Sequence, residues 1–226
     1  MPEALLVLDT GSPVVSAAVG AQGACLAARA ARLERSSTQL LGLLDETLAA
    51  AGLRLAELAG VVALRGPGSF TGLRIGLATA LGFHQALGLP ATAVSTFAAL
   101  AAAAGSSGGA DRGAVLAVVD ALRGEWSAQL FATGDPDRPE PAVRLASADL
   151  PRLLPAGPAT VAGFGVAALA AAFAARADVR LVEAGPLAAA TACWLTRGPL
   201  DWQPNLLTQP LYSRPPAVTG PRPAEA

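Results

Sequence analysis

No lysine occurs anywhere in these 226 residues, and all sixteen basic residues are arginine. An arginine guanidinium keeps its proton, so Schiff-base and lysine-base chemistry are excluded. The single histidine, His84, stands alone. A zinc or iron site needs several His, Cys or carboxylate ligands, and no such cluster is visible, so no metal is expected. A Ser-His-Asp triad would depend on His84, with no G-x-S-x-G elbow to support it. Aromatic residues are few, and Trp126, Trp194 and Trp202 are dispersed, which leaves no stacking platform for nucleotides. The net charge is −1 with no basic block, which argues against this chain gripping nucleic acid by itself. Only two cysteines exist, Cys25 and Cys193, far apart in sequence. No disulfide framework is expected, and a reducing compartment fits. "MPEALLVLD" shows no basic segment ahead of a long apolar one, so no signal peptide is expected. The apolar helical stretch near 72–87 is interrupted by Arg74, His84 and Gln85 and is too short to span a bilayer. A cytoplasmic protein without membrane contact is the expectation.

What is present is a regular alternation of short apolar runs and helical patterns. "LLVLD" (5–9), "VVSAAVG" (14–20) and "GACLAARAA" read as a three-strand meander. "TQLLGLLDETLAAAG" (38–52) changes period: Leu40, Leu41, Leu43, Leu44 and Leu48 fall on one helical arc, with Ser37 or Thr38 as cap and Gly52 as stop. "GVVAL" (60–64) is a buried strand, followed by a glycine loop, a helix to Gly88, a strand "ATAVS" and a helix "TFAALAAAAG". The order βββαβαβα defines an α/β unit. "GSSGGADRG" (105–113) is the linker candidate. The pattern then restarts with "LAVVD" (116–120). Seven residues after Asp9 and after Asp120 stands Ser-Ala, at Ser16-Ala17 and Ser127-Ala128. The later segments read as a strand "ATVAGFG", a helix "VAALAAAFAARA", a strand "VRLVE" and a helix "GPLAAATACWLTRG". Two related halves follow, 1–108 and a degenerate 109–214, with a proline-rich tail 215–226 expected to be disordered.

Two stretches carry the chemical interest. "LRGPGSFTGLRIG" (64–76) runs strand, glycine loop, helix, and a helix N-terminus suits anions. The loop has neither the Gly-Lys-Ser/Thr of a P-loop nor the G-x-G-x-x-G spacing. It reads either as an anion site or as a tight connection capped by Ser69 or Thr71. "DTGS" (9–12) has the Asp-Thr-Gly of aspartic proteases, but that chemistry needs a second carboxylate, and no second such motif exists. Asp9 reads either as a strand-end group facing a cleft or as a turn residue bonding its own backbone. In the helix after the loop, Gly72, Gly76 and Ala80 make a smooth strip, and the remaining circumference is mostly apolar. Such a helix is buried nearly all round, in its own domain or against a second chain.

"LLVLDTGSPVVSAAV" with "GPGSFTGLRIGLATALGFHQALGLP" resembles the bacterial TsaB (YeaZ) family. "VVDALRGEWSAQLF" (118–131) and "QPLYSRP" (209–215) resemble two further family segments. Ser36 stands where the family often has histidine, Leu122 replaces an arginine and Ser213 a leucine. The resemblance implies an ASKHA fold (actin, Hsp70 and sugar-kinase type). It implies a non-catalytic subunit in formation of N6-threonylcarbamoyladenosine at position 37 of ANN-decoding tRNAs. The implied partners are a TsaD homologue and a TsaE ATPase, with homodimerisation when alone and tRNA contact only through the complex. No cofactor is implied for the isolated chain. ATP or ADP at the complex interface would be bordered by Asp9, Thr10, Gly66, Gly68 and Ser69. The implied partner surface lies on helices 38–51 and 72–87, with Leu40, Leu44, Leu48, Gly72, Gly76, Leu77, Ala80, Phe83 and His84 as contact candidates. The alternative is an enzyme, either an ASKHA-type phosphotransferase or a glycoprotease-like peptidase. If Gly76 faces outward, Gly76→Arg should abolish pairing in a folded protein; if inward, it should unfold the chain.

Overall fold

The first strand, β1 (Leu5–Asp9), alternates its side chains between two cores. Leu6 and Leu8 enter one apolar cluster, while Leu5 and Val7 enter another. Period-2 alternation lets a strand that is apolar on both faces sit at the centre of a layered fold. The structure is a computed structural model that describes residues 3–32, 37–106 and 113–213. The linker at 105–113, the half boundary at 108/109, Ser36 and the tail 215–226 fall wholly or largely outside the described residues. So do the side chains of the cap candidates Ser37 and Thr38.

β1 pairs antiparallel with β2 (Val15–Ala21), which pairs with β3 (Ala24–Ala31). On its other side β1 runs parallel to β4 (Gly60–Leu64), which is parallel to β5 (Ala91–Val94). The second sheet holds β6 (Ala114–Asp120), β7 (Glu125–Phe131), β8 (Val143–Ala146), β9 (Ala159–Gly163) and β10 (Val179–Glu183). The orders are β3-β2-β1-β4-β5 and β8-β7-β6-β9-β10, so the halves share one topology. The expected α/β pair of halves is therefore present, with Asp9 and Asp120 both closing the first strand of a half. The seven-residue repeat does not preserve register, however. Asp9 lies opposite Ser16, whereas Asp120 lies opposite Trp126. The second turn is one residue tighter because Leu122, Arg123 and Gly124 all adopt positive φ.

Helices α1 (Ser37–Ala51) and α2 (Phe70–Leu87) cover the outer face of the first sheet. α3 (Thr96–Ser106) and α4 (Ala188–Leu195) lie between the two sheets. There Phe97, Leu100 and Ala101 of α3 and Leu187 and Ala192 by α4 join Val7, Val62, Ala117 and Phe131 in one core. The two sheets thus share a single apolar layer. The second sheet's outer face is covered differently. The expected helix at "VAALAAAFAARA" is instead a 3-10 turn, Val166–Leu169, followed by further turns. Gly165, in the left-handed region, and Val166 give their N–H groups to Glu183, which fixes the entry. Two i→i+3 bonds, at Ala168 and Ala170, and one i→i+4 bond, from the Phe173 amide to the Leu169 carbonyl, then carry Val166, Leu169 and Phe173 onto the sheet. Alanines between them add too little burial to impose an α-helix. Strand β8 and the 3-10 segments Ser147–Leu153 and Pro204–Thr208 carry no clear periodic signal and were not expected.

Because the central core belongs to both halves, Phe131→Ala should destabilise both together. A loss of about 3–5 kcal/mol is expected for a fully buried Phe. Urea melts followed by tryptophan fluorescence and by circular dichroism should stay coincident. Separate transitions would show that the halves unfold independently.

Candidate functional site

Asp9 ends β1 with no solvent exposure, and its Oδ1 accepts hydrogen bonds from the Gly11 and Ser12 amides at 3.2 and 3.1 Å. This is the turn-forming reading of the residue: the carboxylate closes its own loop. Burial pushes its pKa from 3.8 up to about 6, against the opposing pull of the Ser12 hydroxyl and the two amides. Asp9 Oδ2 and Ser12 Oγ are both buried without a well-formed hydrogen bond, so the Ser12 hydroxyl's hold on the carboxylate is the weaker part of that balance.

The turn after Asp9 seats on α2. Thr10 Oγ1 donates to the Gly72 carbonyl at 2.7 Å, and the Ser69 amide donates to the Gly11 carbonyl at 2.8 Å. A Cβ on Gly68 would stand 2.6 Å from the Gly11 carbonyl oxygen, and one on Gly72 or Gly76 would run into Thr10. The glycine strip is therefore a seat for the chain's own hairpin. Ser69 caps α2 by accepting from the Gly72 amide at 3.2 Å. The Ser69 and Gly72 amides are already engaged, and Asp9, Thr10 and Gly66 are buried. Asp9, Thr10, Gly68 and Ser69 lie together in one packed unit, in which Asp9 and Thr10 are buried and Ser69 is exposed.

The contact candidates need a related correction. Leu40, Leu44, Leu48, Leu77 and Ala80 lie in the outer core of their own domain, and Gly76 is buried against Thr10. They face inward because the leucine arc of α1 and the small strip of α2 are what the first sheet and its hairpin require. Gly72 and Phe83 are half-buried, and Phe83 packs on the same core. His84 is half-buried with Nδ1 2.8 Å from the Leu89 carbonyl, beside the Gly88 amide that bonds the His84 carbonyl. The outward side carries different residues. Phe70, Thr71, Arg74, Ile75, Ala78 and Thr79 line an open depression of about 520 Å³ on α2. Gly82 one turn on, and Gly42 on α1 beside the exposed Leu41, have open space where a side chain would be.

Sequence reasoning missed the strap formed by residues 209–213. The Leu211 amide donates to the Arg65 carbonyl at 2.6 Å, and a Cβ on Gly66, whose φ is +109°, would run into the Leu211 carbonyl. Tyr212 stacks on Phe70 with centroids 4.9 Å apart, and the Arg74 guanidinium lies 4.1 Å above the Phe70 ring. The motif "QPLYSRP" was the available signal. Cavities of about 360 and 410 Å³ lie around α4 and its following loop, and neither touches Asp9 or the glycine loop. Among the described residues no group of three or more His, Cys, Asp or Glu could hold a metal, and no helix is long and apolar enough to cross a membrane.

Residues 30–146 match the sequence profile of the family described as "TsaD: tRNA N6-adenosine threonylcarbamoyltransferase". The chain belongs to this family, in its TsaB/YeaZ group. It is 34% identical over 121 residues to the Escherichia coli K12 "tRNA threonylcarbamoyladenosine biosynthesis protein TsaB", covering 54% of this chain and 52% of that protein. The chain thus spans about half the length of the curated relatives it matches. YeaZ from Pseudomonas aeruginosa superposes with a TM-score of 0.67 at 26% identity, over 85% of this chain and 90% of that one. The (R)-2-hydroxyglutaryl-CoA dehydratase component A of Acidaminococcus fermentans shares the fold, with a TM-score of 0.54 at 10% identity, over 84% and 95% of the two chains. These neighbours identify the two-sheet architecture of this TsaB/YeaZ member as ASKHA.

Two outcomes follow for the packed turn. Gly76→Arg should fail to fold, since the side chain has nowhere to go, with a loss of more than about 4 kcal/mol. Gly82→Arg on the open side should leave the circular dichroism spectrum unchanged. For Asp9 the folded-state pKa is raised, so its protonated form stabilises the fold fully below 3.8, and that stability is lost as pH rises through about 6. Urea titrations should show wild type losing up to about 3 kcal/mol across that window relative to Asp9→Asn. Parallel pH profiles for the two proteins would refute the buried-carboxylate account.

Proposed function

We propose that this chain is a non-catalytic subunit for N6-threonylcarbamoyladenosine formation in tRNA. It would work in the cytoplasm, pair with a TsaD-type catalytic subunit and help recruit a TsaE-type ATPase. The reading rests on membership of the TsaB/YeaZ group and on the named role of its Escherichia coli relative. The observation that carries the non-catalytic part is the sealed Asp9 turn. The one carboxylate whose motif suggests chemistry is fully buried beneath the glycine loop, with the nearby Ser69 and Gly72 amides engaged by the chain itself. A phosphotransferase or peptidase would need that group open to substrate.

The pairing surface moves outward from the buried leucine arc to the exposed side of α1 and α2. Ile75, Ala78, Thr79 and Gly82 give a low, mostly apolar relief, flanked by the Phe70–Arg74–Tyr212 stack. Small residues there let a second helix approach closely, and aromatic and arginine groups at the border supply the anchor types that dominate interfaces. Ala78→Arg, introduced on this side, should fold normally yet weaken binding to a co-expressed TsaD homologue by about tenfold or more, because a charge would be buried at the contact. Size-exclusion chromatography and calorimetric titration with the partner measure this. Unchanged binding would place the interface elsewhere. Reconstituted modification assays lacking this chain test the role itself.

A further inference from the structure

The chain's only two cysteines, 168 positions apart in sequence, lie on β3 and α4, elements that the fold packs against each other. Cys25 lies on β3, the edge strand of the first sheet, opposite Gly20 on β2 and next to a bulge where the pairing steps from Val19–Ala27 to Gly20–Cys25. Cross-strand partners point to the same face of a sheet. The face at Gly20 is the one covered by α4, since a Cβ on Gly20 would stand 2.8 Å from the Ala192 Cβ. Cys193 is the next residue on that helix. The β2–β3 turn is fastened to the end of the same helix: the Gly23 amide donates to Thr196 Oγ1 at 2.9 Å, and a Cβ on Gly23 would stand 3.3 Å from Arg197 Cγ and 4.0 Å from the Cys193 carbonyl oxygen. Cys25 thus leaves the turn beside the helical turn that carries Cys193.

We propose that Cys25 and Cys193 are a redox modification site, closing reversibly to an intramolecular disulfide that clamps the edge strand β3 to α4. Both thiols are reduced in the structure and open to reagents: Cys25 is exposed, and Cys193 is half-buried at the wall of the 360 Å³ cavity between α3 and α4. Burial raises the Cys25 pKa first, and the Cys193 thiol raises it further. β3 is the edge strand of its sheet and packs directly on α4, so the two cysteines sit on neighbouring elements.

With glutathione disulfide as oxidant the chemistry balances. A Cys25 thiolate attacks one glutathione sulfur, forming a mixed disulfide and expelling one glutathione thiolate. The Cys193 thiolate then attacks the Cys25 sulfur and expels the second. Two electrons pass from the protein pair to the glutathione disulfide, and the two thiol protons end on the two released glutathiones. The thiolate is the attacking form, so closure speeds up as pH rises.

The test uses the full-length reduced chain, treated with glutathione disulfide, quenched by alkylation and weighed intact. The expected product is lighter than the reduced chain by two hydrogen atoms, takes up no alkylating group, and regains both sites after dithiothreitol. It should also melt at a higher temperature than the reduced form, since the cross-link restricts the unfolded chain. Cys25→Ser and Cys193→Ser change groups outside the cores and should fold; each should stop at a single glutathione adduct or remain alkylatable. Wild type that keeps two alkylatable thiols, accumulates glutathione adducts without closing, or runs as a cross-linked dimer on a non-reducing gel would overturn the proposal.

Discussion

The contact on which the rest depends is the seating of the β1–β2 turn on the glycine strip of α2. Thr10 reaches Gly72 through a side-chain hydrogen bond, and Gly68, Gly72 and Gly76 leave room for the backbone of residues 10 and 11. That contact fixes α2 against the first sheet. It also buries Asp9, which is why the carboxylate's proton affinity rises. The strap at 209–213 closes the same loop from the other side through Arg65 and Gly66. One unit of packing thereby engages the Ser69 and Gly72 amides of the loop that resembles an anion site.

The second constraint is the shared core. α3 follows the first sheet in sequence yet packs on β6 and β9, while α4 follows the second sheet and packs on β1, β2 and β3. Each half supplies a helix to the layer that both sheets bury. The Ser16 hydroxyl accepts from the Ala188 amide at 3.2 Å, binding the start of α4 to the first sheet. Since α4 also receives the β2–β3 turn through Thr196, it touches the first sheet at both of its ends.

These two constraints divide the surface of the first half. The apolar sides of α1 and α2 are spent on their own sheet, which leaves the relief around Ala78 and Gly82 on the solvent side of α2. The Phe70–Arg74–Tyr212 stack stands beside that relief and is tied to the glycine loop by the strap. The open depression and the packed turn thus lie on opposite sides of one helix, α2.

Much of this was legible in the sequence, for local reasons. Period-2 and period-3.6 patterns locate β1 to β7 and α1 to α3 because burial of one face imposes those spacings. The Asp-to-Ser-Ala repeat marks the two halves, and the long motif around "GPGSFTGLRIG" marks the family. Inward and outward directions were not legible for α2, because its pattern is apolar nearly all round and glycine carries no polarity to read. Only the tertiary structure shows that Gly76 meets Thr10 and that Ala78 does not meet the core. The 3-10 turns at Val166 and the packing of the Cys25 strand on the Cys193 helix depend on contacts between distant segments. No local pattern encodes those contacts; packing decides them.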